Sequence, residues 1–379
     1  MPDKHARLSP SSSHIWLHCP PSVRLSEKYE DEKSIYAEEG TQAHALCEWT
    51  LKGALGYPRS PDPRPSLSFY DQVMQDAADG YTETVLEHLH RLQENDPAAT
   101  VFVEQHVDFS EYVPGGFGTS DAIVVGDGEM VVCDFKFGKG IEVSADHNTQ
   151  LMSYGLGSYL MLSPIFDMSR ITLVIYQPRI SNYSQWQLTT EELLSWAESE
   201  LKPKAALADA GEGDFAAGDW CRFCRARSTC RARAQKNLEM LRYDLQLPPE
   251  LTDDEVSDIL TIADDLEAWV KDIREHAVRT LLSGDKIDGW KIVEGRANRK
   301  YIDETKVAEA VIAAGHDPYV RKVLGITDMT SLLGRKQFNE ILGDLVIKPQ
   351  GKPVLVRADD KRPEYISSKN DFSEVEDYE

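Results

Sequence analysis

The 379-residue chain sets 41 Lys and Arg against 64 Asp and Glu, a net charge of −23 at pH 7. That balance excludes a broadly basic nucleic-acid binder, though not a local basic groove, because distribution rather than total charge decides. With 41% hydrophobic and 28% charged residues, no apolar run near the roughly 20 residues of a membrane span, and no apolar signal core in MPDKHARLSPSSSHIW, it reads as a soluble cytoplasmic protein with no membrane partner. The length suits two domains or one elaborated domain.

Residues 8–25, LSPSSSHIWLHCPPSVRL, predict a short helix capped by Ser11, Ser12 or Ser13 and stopped at Cys19-Pro20-Pro21. A second helix is expected over Glu38 to Lys52, carrying Gly40-Thr41-Gln42-Ala43-His44 and then Glu48. His44 and Glu48, four apart, share a face, although a lone helical histidine is more often a surface or satisfied core residue than a ligand. Pro58 to Pro65 reads as a loop, and Asp71 to Gln93 as a long amphipathic helix with Val73, Ala77, Tyr81, Val85 and Leu89 along one side. The strand Thr100 to Val107 follows, with Glu104 at its centre as either a further metal-site carboxylate or a solvated strand residue.

The next stretch, GFGTSDAIVVGDGEMVVCDFK, organises the chain. It predicts strands Thr119 to Val125 and Met130 to Phe135 joined by Gly126-Asp127-Gly128. Ile123, Val124, Val125, Val131 and Val132 suit a buried pleated sheet. Into this apolar hairpin the chain places Asp121, Asp134 and Lys136, and charged groups are rarely buried without a partner or a metal. Two aspartates beside a lysine make a hard-cation site of the kind Mg²⁺ occupies; an ordinary hairpin with a satisfied ion pair is the other reading. A helix from Asp146 to Leu162 sets Gln150 and Tyr154 on one face, either as helix packing or as a substrate-facing pair. Strands Ile171 to Gln177 and Ser184 to Leu188 come next, then a helix from Thr190 to Ala208. The order helix, three strands, helix, strands, helix predicts an α/β fold with a mixed central sheet.

At residues 219–237, DWCRFCRARSTCRARAQKN, the composition turns basic. Cys221, Cys224 and Cys230 have metal-ligand spacing, and Cys19 is the expected fourth ligand, since zinc and [4Fe–4S] sites usually take four. Arg222, Arg225 and Arg227 lie in a stretch with no acid between Asp219 and Glu239 and suit phosphate contacts. From Leu251 a capping box, Thr252 with Glu255, opens a helix expected to reach Leu282. A short β element at Trp290 to Glu294, the basic strip Arg296, Arg299 and Lys300, and helices over Glu304 to Ala314 and Thr330 to Leu342 are expected after it. The acidic end from Asp359 reads as disordered. The expected division is residues 1–243, an accessory α+β module over 251–358, and a tail over 359–379.

In combination, His44 in G-T-x-x-H, Glu104, Asp121 in G-T-x-D, Asp134-Phe135-Lys136 and Gln150-x-x-x-Tyr154 resemble the RecB-like branch of the PD-(D/E)XK nuclease superfamily. Cys19 with Cys221-x-x-Cys224-x₅-Cys230 resembles its iron–sulfur subset, which includes AddB-type nuclease domains and CRISPR-associated RecB-like exonucleases. The likeness spans residues 8–235 and is close to RecB-like proteins encoded beside phage recombination genes. It implies a PD-(D/E)XK core with a mixed sheet flanked by helices, followed here by a mainly helical module. It further implies that His44, Asp121, Asp134 and the Phe135 carbonyl hold Mg²⁺ or Mn²⁺ and that Lys136 positions the attacking water. Glu104 would be an accessory acid, Gln150 and Tyr154 would shape the site, Tyr154 also touching DNA, and the four cysteines would hold a structural [4Fe–4S] cluster, with zinc as the alternative. The expected activity is a metal-dependent DNA exonuclease acting on ends in phage-type recombination, replication or repair inside a bacterial host. A structure-specific or single-strand endonuclease, and a non-catalytic DNA-binding module, are the alternatives. DNA, a phage single-strand-binding or annealing protein, and a second copy of the chain are the expected partners.

Overall fold

The Asp-Gly turn is where the sheet begins. In the computed structural model, which describes residues 6–29, 35–239, 252–294, 301–319 and 322–347, strand β2 (Phe117–Gly126) returns as β3 (Gly128–Phe135). Gly126 pairs with Glu129, so the loop is two residues long, and Gly128 takes the left-handed backbone (φ 84°) that such turns require. Strand β1 (Thr100–Asp108) lies antiparallel to β2. Helix α5 (Thr149–Leu162) then carries the chain over to β4 (Met168–Gln177), parallel to β3, and β5 (Asn182–Thr189) closes the sheet antiparallel to β4. The result is a five-stranded mixed sheet in the order β1-β2-β3-β4-β5.

Both faces of the hairpin are covered, which is why its strands read as continuous apolar runs. Ile123, Val125, Met130 and Val132 pack in one core with Leu151 and Leu156 of α5. Val124, Val131 and Cys133 pack in another with residues of two long helices, α3 (Ile35–Ala54) and α4 (Gln72–Gln93), among them Leu46, Met74, Tyr81 and Val85. Asp71 caps α4 by accepting from the Met74 N–H at 2.7 Å. Helix α5 starts three residues later than the sequence suggests, because Asn148 is its cap and His147 before it is left-handed (φ 50°).

The N-terminal segment is not one helix. Pro20 and Pro21 break it into a 3₁₀ turn at Pro10–Ser12, α1 (Ser13–Trp16) and α2 (Ser22–Ser26). It packs against chain made much later: Arg24 donates to the Asp209 carbonyl at 2.7 Å, and the Tyr29 and Thr229 hydroxyls meet at 2.6 Å. After β5, the box formed by Thr189 and Glu192 opens α6 (Thr190–Trp196), which passes through a π-helical turn at Ala197–Leu201 into α7 (Lys202–Ala210). A 3₁₀ turn at Asp219–Phe223 and α8 (Arg231–Leu238) carry the cysteines.

The chain divides into two compact units, Met1–Val293 and Glu294–Glu379, so the 30-residue α9 (Asp253–Leu282) belongs with the sheet. Its acids supply what the basic stretch lacks locally. Arg233, fully buried, donates to Asp272 at 2.6 Å and to Asp265 at 3.0 Å, and Arg227 reaches Asp272 at 3.0 Å. Asp265 and Asp272 are seven residues, two turns, apart and so share a face. Residues 290–294 form no strand. The second unit contains α10 (Glu304–Ala313) and α11 (Ile326–Leu342), the latter interrupted at Gly334 (φ 71°). Arg296, Arg299, Lys300 and the acidic end lie outside the described residues. Among the described residues no helix is long and apolar enough to cross a membrane.

Removing one partner of a buried ion pair strands the other in low dielectric, at a cost of about 3 kcal/mol. Arg233→Met is therefore expected to lower the unfolding free energy by that order, seen as a lower urea midpoint, while Lys271→Met on the exposed side of α9 leaves the midpoint unchanged. Equal midpoints for the two variants would contradict the inward role given to Arg233.

Candidate functional site

The hairpin register brings the two aspartates together. Ala122 pairs with Cys133, and Asp121 and Asp134 stand one step beyond that pair. Here the ladder is replaced by a side-chain bond: Asp121 Oδ2 accepts from the Phe135 N–H at 2.8 Å. Asp121 Oδ1 lies 3.3 Å from Nδ1 of His44, delivered by α3. Glu104 approaches from β1, and ligand atoms of His44, Glu104 and Asp121 all lie within 4.8 Å of one another. Glu104 reaches this position with a left-handed backbone (φ 52°) inside a strand, a conformation costing an L-residue of this type roughly 1–2 kcal/mol. Such strain persists where surrounding contacts enforce it, and it concentrates at functional sites.

Lys136 closes the other side. Its ammonium lies 3.0 Å from Asp134 Oδ2 and donates to Gln150 Oε1 at 3.1 Å. The Gln150 amide in turn faces Asp134 Oδ1 at 3.3 Å and the Tyr154 hydroxyl at 3.4 Å. Asp134 Oδ2 is buried and, despite the nearby ammonium, receives no well-directed hydrogen bond. Gly118 allows Tyr154 to lie this close to β2, because a Cβ there would come 2.8 Å from the Tyr154 ring and 3.0 Å from Pro10.

Charge in the pocket is finely balanced. Burial would raise Asp121, but the charge and hydrogen bond of His44 and the Phe135 N–H outweigh it and hold it below the usual carboxylate range. Burial lowers His44, yet Asp121 overrides that and lifts it to about 9. Burial and the Asp121 charge push Glu104 up to about 8. Burial also raises Asp134, partly offset by Lys136, and Lys136 stays protonated because Asp134 outweighs the cost of its own burial.

Cys19, Cys221, Cys224 and Cys230 line a single small cavity. Gly218 points its N–H at the Cys221 sulfur at 3.4 Å. Two segments far apart in sequence thus bring four cysteines to one cavity, residues of the kind that hold a tetrathiolate metal or cluster, although no three of their sulfurs lie within 4.8 Å of one another. Of the arginines around them, Arg222 and Arg225 are exposed, whereas Arg227 turns inward to Asp272. The sequence reading missed Asp265 and Asp272. Their signal was a seven-residue spacing of acids on a helix whose partner is a basic helix, and it was hidden by assigning that helix to a separate module.

A family model described as "Protein of unknown function (DUF2800)" matches residues 5–363, and the chain belongs to that family. A solved structure titled "Crystal structure of SSO0001" is 14% identical, with 49% of this chain and 94% of that chain covered and a TM-score of 0.23, a likeness too slight to bear on fold or function.

The pocket predicts a pH dependence. Glu104 is raised from 4.5 to about 8 and His44 from 6.5 to about 9. Each holds its proton more tightly when folded, so each contributes stability that is lost as pH rises through those intervals. The cation-free melting temperature is expected to fall between pH 6.5 and 9. Glu104→Gln should flatten the lower part of that fall. Divalent cation should bind more tightly, with proton release, across the same range. A melting temperature independent of pH would refute this charge assignment.

Proposed function

We propose that this chain is a metal-dependent deoxyribonuclease with a PD-(D/E)XK core of the RecB-like kind, acting as an exonuclease on DNA ends. The observation that carries the reading is the convergence of His44, Glu104 and Asp121 within 4.8 Å beside the Asp134–Lys136 pair. A closed ion-pair network would balance its charges, whereas here three carboxylates, Glu104, Asp121 and Asp134, meet one imidazole and one ammonium. The element order, with a helix before three antiparallel strands and a crossover helix to a parallel fourth, agrees with such a core.

His44, Asp121, Asp134 and the Phe135 carbonyl would hold Mg²⁺ or Mn²⁺, with Glu104 as a further carboxylate. Bound there, the ion supplies an activated water at neutral pH and compensates the charge developing on phosphate. Lys136 remains an ammonium, so it serves as a fixed positive donor that orients the nucleophile or a phosphate oxygen and is not a general base. Gln150 fixes that ammonium by accepting from it and holds the Tyr154 hydroxyl at the same time. The four cysteines would hold a [4Fe–4S] cluster with a structural role. It would tie the N-terminal segment to the end of the sheet domain.

Digestion of end-labelled linear duplex, closed circles and single strands with Mn²⁺ or Mg²⁺ tests the reading. Metal-dependent loss of linear DNA, abolished by Asp134→Ala or Lys136→Ala, is expected, and the label released first gives polarity. Nicked circles would make the enzyme an endonuclease; binding without cleavage of any substrate would make the chain a binding module. The purified protein is expected to be brown with a broad band near about 400 nm, bleached by Cys221→Ser. A colourless protein carrying zinc would replace the cluster assignment.

A further inference from the structure

One exposed aromatic stands between the cysteines without a packing reason. Phe223 lies between Cys221 and Cys224 in the 3₁₀ turn, is 53% exposed, and belongs to neither core. Its ring meets His14 edge-on, with centroids 5.3 Å apart at 81°. The neighbouring Trp220 is already used: it stacks on His18 at 4.2 Å and donates to the Ala216 carbonyl. Phe223 is steadied by that one aromatic contact with His14 and is otherwise largely open.

That open ring lies beside the candidate site. Next to His14, Ser13 shares a 2.7 Å hydrogen bond with Thr149, and the following residue, Gln150, accepts from Lys136. Burial lowers the pKa of His14, and Lys136 is near enough for its charge to act in the same direction, so the imidazole is neutral at pH 7. Its Nε2 is buried and has no hydrogen-bond partner. Arg222, adjacent to Phe223, is exposed. A chain of net charge −23 therefore presents an exposed cation and an exposed aromatic ring at adjacent positions, the ring touching His14.

Resting on the nuclease reading above, we propose that Phe223, backed by His14 and flanked by Arg222, is a stacking platform for an unpaired nucleobase. The strand delivered to Asp134 and Lys136 is then a single strand or a frayed end. Stacking on an aromatic ring tolerates any base, and an adjacent arginine neutralises the phosphate. Paired bases inside a duplex keep their faces against their neighbours and cannot use the ring. The basic neighbour favours a nucleic-acid strand over an apolar protein segment, which would gain nothing from Arg222.

The test uses the full-length chain carrying Asp134→Ala, so that binding is read without cleavage, and single-stranded oligonucleotides containing 2-aminopurine. Stacking should quench the fluorescence, and adding Phe223→Ala should weaken single-strand binding about 5- to 100-fold, with duplex binding unchanged. Phe223→Trp should retain affinity and quenching. The slope of affinity against salt should be unaltered by Phe223→Ala and reduced by Arg222→Ala, separating stacking from charge. Equal single-strand affinity with and without Phe223, or an equal loss on duplex, would overturn the platform while leaving the nuclease reading intact. No binding of any nucleic acid by the parent would overturn both.

Discussion

Two carboxylates brought side by side at the end of an apolar hairpin repel each other and lose water, so each needs its own compensation. The rest of the site follows from that constraint. Asp121 keeps its charge because an imidazole from α3 and a backbone N–H from β3 both serve it. Asp134 faces an ammonium two residues along its own strand. Glu104, the third acid to enter, finds the available positive charge already committed and is driven up to about 8. A pocket with this arrangement keeps Asp121 ionised while burial and the Asp121 charge leave Glu104 holding its proton at neutral pH. A divalent cation entering it exchanges for protons instead of for water alone.

The elements that supply these groups are locked in different ways. The hairpin is held by register and burial on both faces. Helix α3 is held through the apolar contacts of Leu46 and Leu51 with α4. The mouth depends on long-range polar ties, since Ser13 bonds to Thr149 and Arg24 to Asp209. The cysteine segment is gripped from behind by α9, whose Asp265 and Asp272 are met by a fully buried guanidinium.

Much of this was legible in the sequence wherever the signal was local. The Asp-Gly turn between β-branched runs located the hairpin, and period-two alternation put Asp134 and Lys136 on one face. The four-residue spacing of Gln150 and Tyr154 placed both over Asp134, and the cysteine spacing, with Cys19 added, led to one cavity. What could not be read depended on geometry that no local pattern encodes. Glu104 looks like any strand acid until its backbone turns left-handed and aims it at His44. Arg227 looks like a free cation until α9 brings Asp272, 45 residues on, to it. The proline pair at Cys19 was read as a stop, when it divides one segment into two short helices that both pack on later chain.

That last feature has a bearing on synthesis. The segment bearing Ser13 and Arg24 is made first, yet its partners Asp209 and Thr229 emerge about 200 residues later, on the order of 10–40 s of translation. During that interval the sheet, its hairpin and the long helices can all assemble and Ser13 can meet Thr149, while Arg24 and Tyr29 still lack their partners. A ribosome-bound chain therefore carries its acidic cluster before the N-terminal segment is fully tied down. Arrival of α7 and the cysteine stretch is the step that fixes the N-terminal segment in place, well after every residue of the acidic cluster has emerged.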